Sequence, residues 1–472
     1  MNESACTSIL VGKKATIDGS TMIARNDDTF LPLTPQRFIM QPAYQDEKRV
    51  WASTQNNFKA ALPTSGQRTT MTPNVDVSGL GYFGESSINE NNVAMSATES
   101  VYASPRALAY DPYVKDGIAE DSLQSLVAPY IDSARAGVRY LGELIQKYGS
   151  PEGNGVLFAD KDEVWYMEIV TGHHFAATRI PDDAYVITAN QVAQQEIDFN
   201  DPENYMWSEG LAEFVEKHHL NPASSGFDFR KIFGTDTKKD RHYNTPRVWY
   251  GQRYLSGKQD LGPTSSELPF ICHADRLLSV ADLEYVLASH YNETQYDPLG
   301  TGSEADKSRF RPISLNRTQN SHILQIRNDV PVGQAALMWI CLGIPSFTPY
   351  VPFYTNADDT DPSYSQTSLE YDIKDAYWMY RTLSMLVEAH YDHFSQKNID
   401  YLTKLTEAKY AFLAQSDAEA KVLSGQALTD LLTEKNHELV ALMKKETMQA
   451  IAELVTSGLE LSKLTFDMDK NL

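Results

Sequence analysis

Near the N-terminus two short stretches that combine Thr with aliphatic residues, Thr7–Val11 and residues 21–24, are strand-like. Such stretches predict strands, and Asp18-Gly19 between them predicts a hairpin turn. Residues 31–75 are rich in Pro, Thr, Gln and Asn and show little periodicity, which predicts long loops and short strands. Helical spacing appears over 132–149, where Val138, Leu141, Leu144 and Ile145 share one face. Asp132 or Ser133 can cap that helix, and Gly149 ahead of Pro151 stops it. A meander of β-rich runs follows at 155–160, 163–170, 174–179 and 184–188, with Asn190 just past the last. Residues 270–345 mix short helical and strand signals. From Ser368 the chain turns helical: Tyr377, Tyr380, Leu383, Val387, His390 or Tyr391, and Phe394 mark one face of a long helix. Residues 400–465 predict two more. No internal repeat is visible. Antiparallel β-rich runs followed by helices predict an α+β protein.

Composition narrows the class. The 472 residues hold 41 Lys plus Arg against 63 Asp plus Glu, a formal charge of −22. That acidity, with no basic cluster, excludes a nucleic-acid or anionic-membrane surface as the expected partner. With 42% hydrophobic residues the chain can bury a large core. The longest apolar run, 335–344, is too short to cross a bilayer, and Glu3, Lys13 and Lys14 do not fit a signal peptide. The expectation is a cytoplasmic globular protein.

Three cysteines, Cys6, Cys272 and Cys341, do not make a disulfide scaffold. Cys341 sits in an apolar run and reads as core. Cys272-His273 pairs a thiol with a base, but adjacent side chains rarely face each other. His173-His174 falls in a predicted strand, where neighbours point to opposite faces. His437-Glu438 lacks the second histidine of a zinc-protease helix, because position 441 is Ala. Gly79-Leu-Gly81-Tyr-Phe-Gly84 matches GxGxxG without the flanking strand and helix of a dinucleotide site. No metal ligands and no cofactor are expected.

Cys6 opens a predicted strand close to the chain start. Cleavage between Ala5 and Cys6 would free an α-amine whose reference pKa of about 7.7–8.0 suits a base near neutral pH. Thiol and base would then belong to one residue. A turn at Asp18-Gly19 pairs Ile9 with Asp28 and brings residues 25–28 back towards Cys6. Arg25 then shares the side-chain parity of Cys6, and its charge would favour thiolate. Asp28 lies about 10 Å from Cys6 by strand rise and has the opposite parity. The hairpin alone does not choose between Asp27 and Asp28. The plain alternative for Arg25 and its acids is an exposed ion pair at a hairpin end.

Cys6-Thr-Ser-Ile, Gly12-Lys-Lys-Ala-Thr-x-Asp18-Gly19-Ser and Ala24-Arg25-Asn26-Asp27-Asp28 together resemble the start of the bacterial dipeptidase D family. These are cysteine peptidases of the N-terminal-nucleophile hydrolase superfamily. Further segments fit in order: Ile88-Asn89-Glu90 through Ser100, Glu163-Val-Trp165-Tyr-Met-Glu168-Ile with Thr171-Gly172-His173, Tyr243-Asn-Thr-Pro-Arg247-Val-Trp249, and Tyr377-Trp378-Met-Tyr-Arg381. Penicillin V acylases and bile salt hydrolases look like distant relatives. The resemblance implies a four-layer αββα sandwich: a propeptide 1–5, a catalytic core 6–365, and a helical portion 366–472 on the same domain. It implies a homo-oligomer that hydrolyses dipeptides without metal after removing its own propeptide. It carries over Cys6 as nucleophile, Arg25 as its thiolate partner and Asp28 as holder of the α-ammonium. Asn190 becomes the oxyanion donor and Arg247 the residue that positions Asp28 or the Cys6 terminus. A backbone N–H near Thr98 is the candidate second donor. The mature enzyme is expected to lack Met1–Ala5. An amidase acting on non-peptide acyl amides is the alternative activity, and a catalytically silent binding protein is the third.

Overall fold

The computed structural model describes residues 6–75, 83–99, 101–257 and 260–464. The expected propeptide and Gly79 and Gly81 of the glycine motif lie outside these residues. In chain order the strands are β1 (Thr7–Val11), β2 (Thr21–Asp28), β3 (Ile39–Gln41), β4 (Val50–Ala52), β5 (Lys59–Ala61), β6 (Thr69–Met71), β7 (Ser86–Ile88) and β8 (Ala94–Glu99). They continue as β9 (Asn154–Ala159), β10 (Val164–Ile169), β11 (Phe175–Ile180), β12 (Tyr185–Thr188), β13 (Tyr205–Trp207), β14 (Thr318–Ile326), β15 (Ala336–Leu342) and β16 (Val351–Tyr354). A first six-stranded sheet runs β12-β1-β2-β14-β15-β16 and a second runs β13-β11-β10-β9-β8-β7. The pairings within both are antiparallel.

Side-chain alternation assigns the layers. Leu10 and Ile23 of the first sheet share a core with Leu157 and Tyr166 of the second, so these faces meet. Ile9, Val11, Met22 and Ala24 point the other way, onto Val248, Leu255, Leu283 and Leu287 of the Thr245–Leu255 and Val280–Leu287 helices. On the far side Val156, Trp165 and Met167 pack on Val138, Leu141 and Ile145 of the Ala134–Tyr148 helix. The result is an αββα sandwich. Full burial of one such aliphatic side chain stabilises by about 1.5–3 kcal/mol, and strands buried on both faces explain their near-continuous apolar runs.

The expected helix at 132–149 forms over Ala134–Tyr148, capped by the Ser133 hydroxyl. The single long helix read through Tyr377 and Phe394 is instead two, Ala376–Ala389 and Tyr391–Ala420, followed by Gly425–Leu459. His390 breaks the run at φ −133° and ψ 41°, and its carbonyl accepts the first bonds of the next helix. Tyr377, Tyr380, Leu383, Val387 and Phe394 all enter one core cluster. The apolar spacing therefore carries across the break and conceals it.

Candidate active site

Cys6 stands immediately before β1, and the two pairings of that strand decide its surroundings. Ser8 pairs with Thr188 of β12, and the same register carried two residues further sets Asn190 against Cys6. On the other side Thr7 pairs with Asn26, which sets Asp27 against Cys6. The tight-turn alignment of Ile9 with Asp28 is thus corrected: Ile9 pairs with Ala24. After Val11 the chain keeps following its other neighbour, with Gly12 N–H donating to Ala184 and Lys14 N–H to Asp182. A Cβ at Gly12 would meet the Pro181 carbonyl at 2.3 Å. The turn therefore spans residues 12–20, although Asp18 still closes an Asx turn onto the Ser20 N–H.

Parity divides the site into two faces. Cys6, Arg25 and Asp27 are in phase with Leu10 and Ile23 and look towards the second sheet. Arg25 is wholly buried, which overturns the exposed ion pair. Its Nη1 donates to Glu120 at 3.1 Å, its Nη2 donates to Glu85, and Asp27 lies 3.6 Å away. Gln36 donates to Asp27 and to Asn74, and Asn320 donates to Gln36. His322, beside Arg25 on β14, has Nε2 2.8 Å from the Ser96 hydroxyl and Nδ1 2.8 Å from the Asn320 carboxamide oxygen. Thr98, on the facing strand β8, hydrogen-bonds the Cys6 thiol through its side chain.

Asn26 and Asp28 face the helices instead. Asp28 accepts from Arg311 and from the Thr318 hydroxyl. Arg247, in the helix that continues a π-turn at Asp240–Asn244, donates from Nη1 to the Cys6 carbonyl and, at 3.0 Å, to the Thr7 hydroxyl. Its Nη2 donates to the side-chain oxygens of Asn190 and Asn244, both at 2.8 Å, and its Nε to the Tyr243 carbonyl. Asn244 Nδ2 donates to the Asn190 carbonyl at 3.1 Å. With Oδ1 taken by the guanidinium, the amide nitrogen is the donor end of Asn190.

Burial dominates the electrostatics. It pushes the Cys6 thiol up to about 11, against the pull of Arg25, so the thiol is protonated at neutral pH and needs a base. Burial also raises Asp27, and it raises Glu85 to about 8, with Asp27 adding repulsion. His322 is held well below its ordinary range by burial and by Arg25, and is therefore neutral. Burial, with Arg311 alongside, lowers Arg247 to about 10, which leaves it charged at neutral pH.

The other sequence candidates do not join this site. His173 and His174 lie in the connection before β11, not within a strand. Their Nδ1 atoms meet Asp111 at 2.9 Å and Ser208 at 2.8 Å. Cys272 and Cys341 are buried elsewhere in the core. His437 meets Asp359 at the surface. Among the described residues no group of three His, Cys, Asp or Glu side chains could hold a metal ion, and no helix is long and apolar enough to cross a membrane.

The sequence pattern of peptidase family C69 matches residues 5–404. The chain belongs to peptidase family C69. It is 55% identical over 470 residues to the "Probable dipeptidase" of Latilactobacillus sakei, covering 99% of this chain and 98% of that one. It is 38% identical over 484 residues to Dipeptidase A of Lactobacillus helveticus, covering 99% and 100%. A penicillin V acylase structure from Agrobacterium tumefaciens aligns over 74% of this chain and 86% of its own, at 13% identity and a TM-score of 0.32. This C69 member is a cysteine-type peptidase, and its αββα architecture stands on the strand order and layers above.

In this C69 chain the structure brings Cys6, Arg25, Asn190 and Arg247 together, and places Asp28 on the helix-facing side of β2. Sequence reading missed Glu85, Glu120 and Arg311, whose roles arise only from long-range packing. Asn244 was within reach, three residues before Arg247 in an already distinctive segment.

Proposed function

We propose that the protein is a broad-specificity dipeptidase whose nucleophile is the Cys6 thiol and whose base is the α-amine freed when residues 1–5 are removed. The observation that carries this reading is the placement of Cys6 at the strand end where Asn190 and Arg247 converge. The histidine nearest this face, His322, has both ring nitrogens engaged by Ser96 and Asn320 and is neutral, so it does not serve the thiol. In the reaction the α-amine takes the thiol proton as Sγ bonds to the peptide carbonyl carbon. The C–N bond then breaks, and the ammonium returns that proton to the leaving amine. Water, deprotonated by the same amine, cleaves the thioester and restores the thiol. Asn190 Nδ2 donates to the developing oxyanion, a contribution worth about 10²–10³ in rate. Arg247 orients Asn190 and the Cys6 carbonyl, while Asp28 holds the ammonium from the helix-facing side.

Dipeptides are favoured over non-peptide acyl amides by the relatives at 55% and 38% identity, which are named dipeptidases. Intact mass and turnover test this together. The purified enzyme should begin at Cys6 and cleave unblocked dipeptides, and N-acetylation of a dipeptide should abolish its turnover. Faster cleavage of penicillin V than of any dipeptide would reverse the assignment.

A further inference from the structure

Glu168 belongs to the Glu163–Ile169 segment that the sequence marks as distinctive and that the reaction above leaves unused. It lies in β10, wholly buried, in phase with Val164 and Tyr166, so its side chain points at the first sheet. The carboxylate reaches the loop that follows β12. It accepts from the Ala193 N–H at 2.6 Å, from the Gln194 N–H at 3.3 Å and from Gln194 Nε2 at 3.2 Å. Arg230 donates to the Ala193 carbonyl at 2.8 Å, so this stretch is gripped from both sides. Gln194 is tied in turn to the Ala176 carbonyl and the Thr178 hydroxyl.

A buried carboxylate is costly, and burial pushes Glu168 up to about 7. What it supplies is an acceptor at both oxygens for N–H groups that converge on it, which a carboxamide cannot match. Asn190 is the apex of a tight turn, with the Gln191 N–H donating to the Ala189 carbonyl at 2.8 Å. Upstream, β12 is locked to β1. Downstream, Glu168 fixes the loop to the other sheet three residues later. Asn190 is thus set between two anchors, one on each layer of the sandwich.

We infer that Glu168 is a positioning residue for Asn190, holding from the second sheet the loop that presents the oxyanion donor. The inference rests on the reading of Asn190 as that donor. It is distinguished from a purely structural role by dependence on Asn190. In Glu168→Gln one N–H faces another N–H and the loop loosens.

The experiment is a double-mutant cycle on alanylalanine hydrolysis with wild type, Glu168→Gln, Asn190→Ala and the double variant. Glu168→Gln should lower kcat about tenfold with KM little changed, as expected for a displaced transition-state donor. In the Asn190→Ala background it should cost nothing further. An equal loss in both backgrounds overturns the inference while leaving Asn190 as donor. Wild-type kcat in Glu168→Gln overturns it as well. Wild-type kcat in Asn190→Ala removes the oxyanion reading, and the inference with it. Should Glu168→Gln fail to fold, Gln194→Met, which keeps both backbone bonds to Glu168, takes its place. A smaller kcat loss that vanishes in Asn190→Ala supports the inference, and a loss that persists there overturns it.

Discussion

Arg247 donates to the Asn190 side-chain oxygen at 2.8 Å while the same guanidinium holds the carbonyl of Cys6. One planar group therefore sets both the position of Cys6 and the orientation of the amide beside it. Register alone brings Asn190 against Cys6, since β12 and β1 pair through Ser8 and Thr188. Arg247 converts that proximity into a defined angle, and the π-turn at Asp240–Asn244 lets Asn244 take the Asn190 carbonyl as well.

Arg247→Lys should retain the charge and lose the geometry. A lysine has one nitrogen and cannot span Cys6, Thr7, Asn190 and Asn244. We expect kcat to fall by about 100-fold, the scale of a misplacement of about 1 Å. Buried acceptors left unmatched should destabilise the fold by about 1–3 kcal/mol each. Steady-state kinetics beside a thermal melt check both. A stable Arg247→Lys enzyme with wild-type kcat would contradict the arrangement.

Cys6→Ala should abolish hydrolysis, whereas Cys272→Ser and Cys341→Ser should keep most of it apart from some loss of stability. Only Cys6 combines a thiol with a prospective terminal amine, and the other two thiols are packed among apolar side chains. Turnover should survive metal chelators and be lost on alkylation. Dipeptide cleavage by Cys6→Ala at the wild-type rate rules out the proposed nucleophile.

The strands that carry Arg25 or end beside Cys6 and Asn190 were legible because they are rich in Thr and aliphatic residues and bounded by turn residues. Their relative register was not. It depends on Gly12 and Lys14 bonding to Ala184 and Asp182, contacts that no local pattern encodes. The partners of Arg25 were out of reach for a similar reason. Its partners Glu85 and Glu120 lie 60 and 95 residues further along the chain, so a local view leaves only Asp27 and Asp28 and suggests a solvated pair. The faces of the C-terminal helices were readable, but the break at His390 was not, since both helices pack on one core.

Asp28→Asn should lower the pKa of the acidic limb of kcat/KM, which the free α-amine sets as base, and Asp27→Asn should leave it nearly unchanged. An anion near the Cys6 α-ammonium raises the pKa of that group, so removing the anion lowers it, by about one unit or more. Asp28 stands on the face where Arg247 holds Cys6. Asp27 is taken up by Arg25, Gln36 and Asn320. The pH profiles of the two variants decide. A shift in Asp27→Asn alone would transfer the anchoring role to Asp27.

His322 should make the enzyme acid-sensitive. Its folded pKa lies well below the ordinary 6.5, because burial and Arg25 disfavour the charged ring. Between those two values the unfolded chain binds a proton that the folded chain does not. The stability due to His322 is therefore complete above pH 6.5 and is lost as pH falls towards the folded value, at up to about 1.4 kcal/mol per pH unit. Glu85 and Glu168 act with the opposite sign, since their raised pKa values favour the folded state at low pH. Comparing His322→Gln with wild type cancels their contribution. The variant can still meet Ser96 or Asn320, so it should fold with a lower urea midpoint at pH 7.5. On acidification from pH 6.5 to pH 5 it should lose less stability than wild type, and the two curves should converge. Parallel curves over that range would mean that His322 does not stay neutral in the folded protein, and the case for an α-amine base would lose one of its supports.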